Sequence, residues 1–184
     1  MKFLLGFIFG ILVVVGGAYF YFTSGMAPVA VTDPLMPFER TMANKALDAA
    51  IDKAHVGDSP LPADEPNLLA GADVYKKECA VCHGLPDHPV DYITMMFPKP
   101  TQLFKGKGVT DDPASESYWK VVNGIRLSGM PTFKEKLTNT QSWQVAQLVA
   151  NADKLPAAVK LKLQPVVPPT AATQMQMPPA APHK

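Results

Sequence analysis

Cysteine is scarce in this chain: among 184 residues only Cys79 and Cys82 carry a thiol. A structural zinc site needs four ligands in paired clusters, and the histidines outside the cysteine motif (His55, His88 and His183) are scattered singly. A thiol–disulfide redox motif belongs near a βαβ pattern, and no stretch here alternates convincingly with period two. An excess of one charge is missing too. Seventeen basic against sixteen acidic residues leave a formal net charge of +1, which speaks against nucleic acid as a partner. Charge is absent altogether from Phe3 to Phe22, and no cysteine follows that run to accept a lipid.

What is present is the arrangement of the two thiols. Cys79-Ala80-Val81-Cys82-His83 sets them three positions apart with an imidazole adjoining, the attachment signal of a c-type haem. Each thiol can form a thioether with one vinyl group of the same porphyrin, and His83 then places a ring nitrogen on the iron as proximal axial ligand. For the second axial position the candidate is Met130, in Gly129-Met130-Pro131. Glycine is permissive in φ and proline fixes it, so the pair makes a stiff, irregular loop that can hold a sulfur in one place. Methionine is more often a core filler, however. The chain has nine, and Met95, Met96 and His88 are rival ligands nearer the haem motif.

These motifs in this order resemble the small class I cytochrome c family, above all its membrane-anchored, single-haem bacterial members related to the cytochrome subunits of cbb3-type oxidases. The resemblance spans roughly Leu68 to Pro156. It rests on Gly71-x3-Tyr75-x3-Cys79-x2-Cys82-His83-Gly84, on Phe97-Pro98-Lys99-Pro100, on Gly124-Ile125-Arg126-x3-Met130-Pro131, and on a closing helix containing Trp143. It implies one covalent haem c with His83 and Met130 as axial ligands, a few helices wrapped around it, and electron transfer in place of bond-making chemistry. It also implies a close crossing of the first and last helices, with Gly71 and Ala146 or Ala150 allowing the approach. Arg126 is a candidate partner for a haem propionate, and Trp119 or Trp143 for packing beside the ring. The family's glycine-rich run after the haem motif is replaced by Leu85-Pro86-Asp87-His88-Pro89-Val90, which leaves open the backbone group that orients the His83 ring.

Periodicity predicts an all-α domain over 68–164. Leu68, Leu69, Ala72, Tyr75 and Lys76 lie at helical spacing, with Asn67 after Pro66 as N-cap. A second helix is expected from Ser115 to Asn123, with Gly124 as its stop, and a third from about Thr140 to Asp153. Upstream, Phe3–Phe22 is long enough to cross a bilayer, with Tyr19–Phe22 as an interfacial belt. The residues 1–22 are expected to be a retained anchor, a cleaved signal peptide being the alternative. A connector over 23–67 holds apolar residues at helical spacing, predicting an amphipathic helix about 37–56, ending at Gly57. That helix either rests on the cytochrome domain or docks a partner subunit or the membrane surface. The Pro/Ala-rich tail, 165–184, is expected to be disordered.

Lys2 is the only basic residue before the apolar run, which predicts a cytoplasmic tip and a haem domain in the bacterial periplasm. From Leu68 to Gln164 there are 12 basic and 9 acidic residues, and Lys99, Lys105, Lys107, Arg126, Lys134 and Lys136 flank the haem loops. A basic rim of this kind steers an acidic redox partner. The reading is a membrane-anchored single-electron carrier, free or fixed in a respiratory or photosynthetic complex, with redox proteins as partners and no small-molecule substrate. A gas sensor or peroxide-reducing protein with an open sixth position, or a mainly structural membrane subunit, are the alternatives. The apo domain, with a thin core, is predicted to fold poorly.

Overall fold

The computed structural model describes residues 2–90 and 95–165, and every regular element among them is helical. The expected disordered tail lies outside the described residues, apart from Pro165 at its start. The chain divides into two compact units, Met1–Lys53 and Ala54–Lys184.

In the first unit, α1 (Lys2–Thr23) is 22 residues of almost purely apolar sequence with no buried residue. At about 1.5 Å per residue it measures about 33 Å, against a hydrocarbon core of about 30 Å. It is therefore long and apolar enough to cross a membrane. The second helix, α2 (Glu39–Ala54), starts where the Glu39 carboxylate accepts the Met36 N–H at 2.9 Å. It stops before Gly57 because His55 takes the left-handed φ of 46° that ends a helix. Of its spaced apolar residues Ile51 is buried, whereas Met42 is exposed.

The second unit is built on three crossings. Helix α3 (Glu65–Val74) is capped by Asp64, whose side chain accepts the Asn67 N–H at 3.1 Å. Asn67 is therefore not the N-cap that its place after Pro66 suggested. Proline is favoured inside the first turn, where its missing N–H costs nothing, so the cap falls before it. Leu68, Ala72 and Tyr75 form the buried face. The chain then makes a π-helical turn, Tyr75–Cys79, and ends in α4 (Ala80–His83), closed by Gly84 at φ 71°.

Helix α5 (Ala114–Asn123) stops at Gly124. Helix α6 (Asn139–Ala150) begins with a capping box, Thr138 and Gln141 bonding reciprocally, so it starts before Thr140. It packs on α3 at Gly71, where any Cβ would strike the Gln144 carbonyl, its carbon 2.8 Å away. Trp143 does not stand alone: it stacks on Tyr118 of α5, centroids 4.0 Å apart. A further helix that the sequence did not predict, α7 (Ala157–Lys162), packs on α3 through buried Val159, with Leu155 and Leu163 buried at its two ends. Lys76 Nζ donates to the Lys162 and Gln164 carbonyls at 2.9 and 3.0 Å, and Lys162 pairs with Asp73 at 2.7 Å. A cation thus caps the α7 C-terminus, where the helix dipole is negative.

Candidate haem site

The helix that carries Cys79, Cys82 and His83 changes pitch just before them. In the π turn the Ala80 N–H reaches back to the Tyr75 carbonyl, so one extra residue is accommodated ahead of the motif. Tyr75 anchors this turn: it is fully buried, its hydroxyl donates to the Gly84 carbonyl at 2.8 Å, and its ring meets Phe104 edge-on at 4.9 Å. One residue therefore bonds to both ends of the motif, through its backbone carbonyl at Ala80 and its hydroxyl at Gly84.

Burial, with the nearby Glu78 carboxylate adding to it, pushes the Cys79 thiol up to about 12. Thiol–disulfide exchange needs a thiolate, so this cysteine is poorly suited to a redox-dithiol role. His83 shifts the opposite way, burial holding its ring below the usual histidine range and hence neutral. Its Nδ1 lies 2.7 Å from the Thr101 carbonyl oxygen. A carbonyl only accepts, so Nδ1 carries the hydrogen and Nε2 presents its lone pair, the tautomer a metal-ligating imidazole needs.

Thr101 is the orienting group that the sequence left open, and it comes from the segment after Phe97-Pro98-Lys99-Pro100. The run that replaces the family's glycines does a different job. Leu85 and His88 exchange two backbone hydrogen bonds of 3.0 Å around Pro86 and Asp87, with Asp87 at φ 58°. That turn places His88 on the surface, exposed.

Met130 is held by a closed set of hydrogen bonds. Its N–H donates to Ser128 Oγ at 3.1 Å, Ser128 Oγ donates to the Ile125 carbonyl at 2.7 Å, and the Ile125 N–H donates back to the Met130 carbonyl at 3.1 Å. Thr132 Oγ and the Phe133 N–H then tie the loop to the Val122 and Val121 carbonyls of α5. Gly124, at φ 68°, lets the chain pass within a van der Waals shell of Pro131. Met130 packs half-buried against the core, alongside Leu85, Leu103, Phe104 and Phe133. Among the rivals, Met95 is exposed, and the Met96 methyl lies against Gly129, where a Cβ would meet it. Arg126 is exposed on the same loop.

This donor set fits a haem. Two thiols, one neutral imidazole with a free Nε2, and one thioether in a hydrogen-bonded loop are what a covalently attached, six-coordinate iron porphyrin takes. A cleft of about 250 Å³ opens beside His83, and Gln102, which lines it, has a buried Nε2 without a hydrogen-bond partner among the described residues. The basic rim is thinner than the sequence suggested, since Lys107 pairs with Asp111 at 3.3 Å and Lys136 with Glu78.

No curated protein matches the chain. A family model does, that of cytochrome c oxidase, cbb3-type, subunit III, over residues 66–149. That span runs from the first turn of α3 to the end of α6 and holds the haem motif, Thr101 and the Met130 loop. Over those residues the chain is similar to the class I c-type cytochrome domain of cbb3-type oxidase subunit III, and a domain of that kind implies covalently bound haem c and haem-based electron transfer.

Proposed function

We propose that this protein is a membrane-anchored, periplasmic, mono-haem cytochrome c that passes single electrons between protein partners, as a subunit of a membrane electron-transfer complex or docked to one. The observation that carries the reading is the pairing of a neutral, oriented His83 with a Met130 locked in its own hydrogen-bonded loop. When bound, the haem supplies one-electron exchange at its iron.

The chain's residues do the rest. Cys79 and Cys82 hold the group covalently, so it is not lost when a partner docks. The Thr101 carbonyl fixes the His83 ring and raises its basicity through Nδ1. Met130 contributes a sulfur that favours the ferrous state. Because the His83 ring and the Met130 loop are each held by hydrogen bonds, they would keep their places in either oxidation state, and little rearrangement would slow transfer. Arg126, exposed on the Met130 loop, offers a cation to a haem propionate. Helix α1 serves as the anchor, and Lys2 at its start keeps the tip in the cytoplasm.

The test is optical and uses detergent-solubilised full-length holoprotein. The ferrous wild type is expected to resist carbon monoxide, whereas Met130→Ala binds it readily while keeping its covalent haem. Carbon monoxide binding by the wild type at the variant's level would transfer the reading to an open-site sensor or peroxide reductase. Protease added to spheroplasts should cut the haem domain away, leaving α1 in the membrane.

A further inference from the structure

We propose that the ion pair between Glu78 and Lys136 is a latch that holds the Met130 segment against the haem-binding turn, an inference that rests on Met130 being an axial ligand. Glu78 belongs to the π turn and immediately precedes Cys79. Lys136 lies in the turn that follows the Met130 loop, its N–H donating to the Phe133 carbonyl at 2.9 Å. The Glu78 side chain is only 4% exposed; Lys136 bonds its Oε2, and Lys77 stands 3.6 Å from its Oε1. The hydrogen bond from Lys136 holds this carboxyl below the usual carboxylate range, so it is ionised at neutral pH.

A buried carboxylate is tolerable only while its partner is present, because removing one partner leaves an uncompensated charge out of water. Lys136 is 61% exposed and reaches inward to supply that partner. The Ser128 and Ile125 bonds are internal to the Met130 loop, and Thr132 and Phe133 tie it to α5. The Glu78–Lys136 pair connects it instead to the segment bearing the opposite ligand. An excursion that carries the segment from Met130 to Lys136 away as a unit also pulls Lys136 off Glu78, leaving only Lys77 beside that carboxylate. The cost of stranding that carboxylate is added to the cost of breaking the iron–sulfur bond. Glu78 and Lys136 are thus positioning residues for the sixth ligand, acting through the segments that bear Met130 and His83.

The experiment follows the methionine-to-iron charge-transfer band of the ferric full-length holoprotein, in mild detergent, as imidazole displaces the sulfur. Lys136→Met is expected to lose the band at about tenfold less imidazole than wild type, and Glu78→Gln to shift the same way. Lys136→Arg, which keeps the charge and the hydrogen bond, is expected to restore the wild-type titration. Covalent haem content and far-ultraviolet dichroism report folding of each variant separately. Half-displacement within about twofold of wild type in both Lys136→Met and Glu78→Gln overturns the latch and leaves the Met130 reading intact. A wild type without the band overturns the ligand assignment, and the latch with it.

Discussion

Tyr75 shows how much one side chain does here. It is fully buried, its ring packs against Phe104, and its hydroxyl satisfies the Gly84 carbonyl at the far end of the haem motif. Tyr75→Phe keeps the packing and strands that carbonyl away from water. The expected loss is about 1–3 kcal/mol in denaturant unfolding of the holoprotein, the cost of an unsatisfied buried polar group. Glu78 gives a residue-scale prediction in pH. Its folded value lies below its unfolded one, chiefly through the Lys136 hydrogen bond, so ionisation stabilises the fold. That contribution is complete above the ordinary carboxylate range and disappears as pH falls through the lowered folded value. Wild type is therefore expected to exceed Glu78→Gln in denaturation midpoint at neutral pH, and the gap to close on acidification. A gap that persists unchanged into strong acid would mean that the carboxylate's charge is irrelevant.

At the scale of elements, the crossing of α3 on α6 is the joint that brings the haem motif to the core. Gly71 sits where a side chain would meet the Gln144 backbone, and backbone cannot step aside as a flexible side chain can. Gly71→Ala is expected to cost about 1–3 kcal/mol, measured by thermal or denaturant unfolding, as overpacking forces the helices apart. Gly71 was singled out through the resemblance to the cytochrome c family, which implies a close crossing of helices there, and Gly124 as a helix stop, since glycine tolerates the positive φ that ends a helix. Other features had no such local mark. The hydrogen bond between His83 and Thr101 joins residues separated by a whole loop, and a carbonyl acceptor carries no side-chain signature at all. The π turn leaves the apolar spacing of Leu68, Ala72 and Tyr75 unchanged, since it begins only at Tyr75, the last of them. Helix α7 did leave a signal, buried Leu155, Val159 and Leu163 recurring every fourth residue, but Pro156 inside the run reads as a break when it is in fact the helix's entry. The Glu78–Lys136 pair was invisible because each charge, taken alone, looks like solvated surface.

On the scale of the whole cytochrome unit, burial is unevenly shared. Leu68, Ala72, Tyr75, Val145, Leu148, Val159 and Leu163 are nearly inaccessible, and all belong to the meeting of α3, α6 and α7. The other flank, with Leu103, Phe104, Val109, Met130 and Phe133, reaches only partial burial against that core. No α-helix stands among the described residues between His83 and Ala114, so the Thr101 segment draws little order from its own backbone ladder. A domain this small buries a modest share of its surface, and its margin of stability is correspondingly thin. On the proposed function, the covalent porphyrin would be the large apolar body that covers this flank. Replacing both thiols, Cys79→Ala with Cys82→Ala, removes the attachment while altering little volume. The haem-free variant is then expected to retain part of its helical dichroism, from the α3–α6–α7 side. It should lose its near-ultraviolet signal, bind hydrophobic dye and melt without a cooperative transition. A sharp melt with native near-ultraviolet dichroism would mean that the helix crossings alone organise the Met130 loop and Thr101. The polypeptide would then build its ligand geometry in advance of the haem, and attachment would be a staple on a finished fold instead of a step in folding.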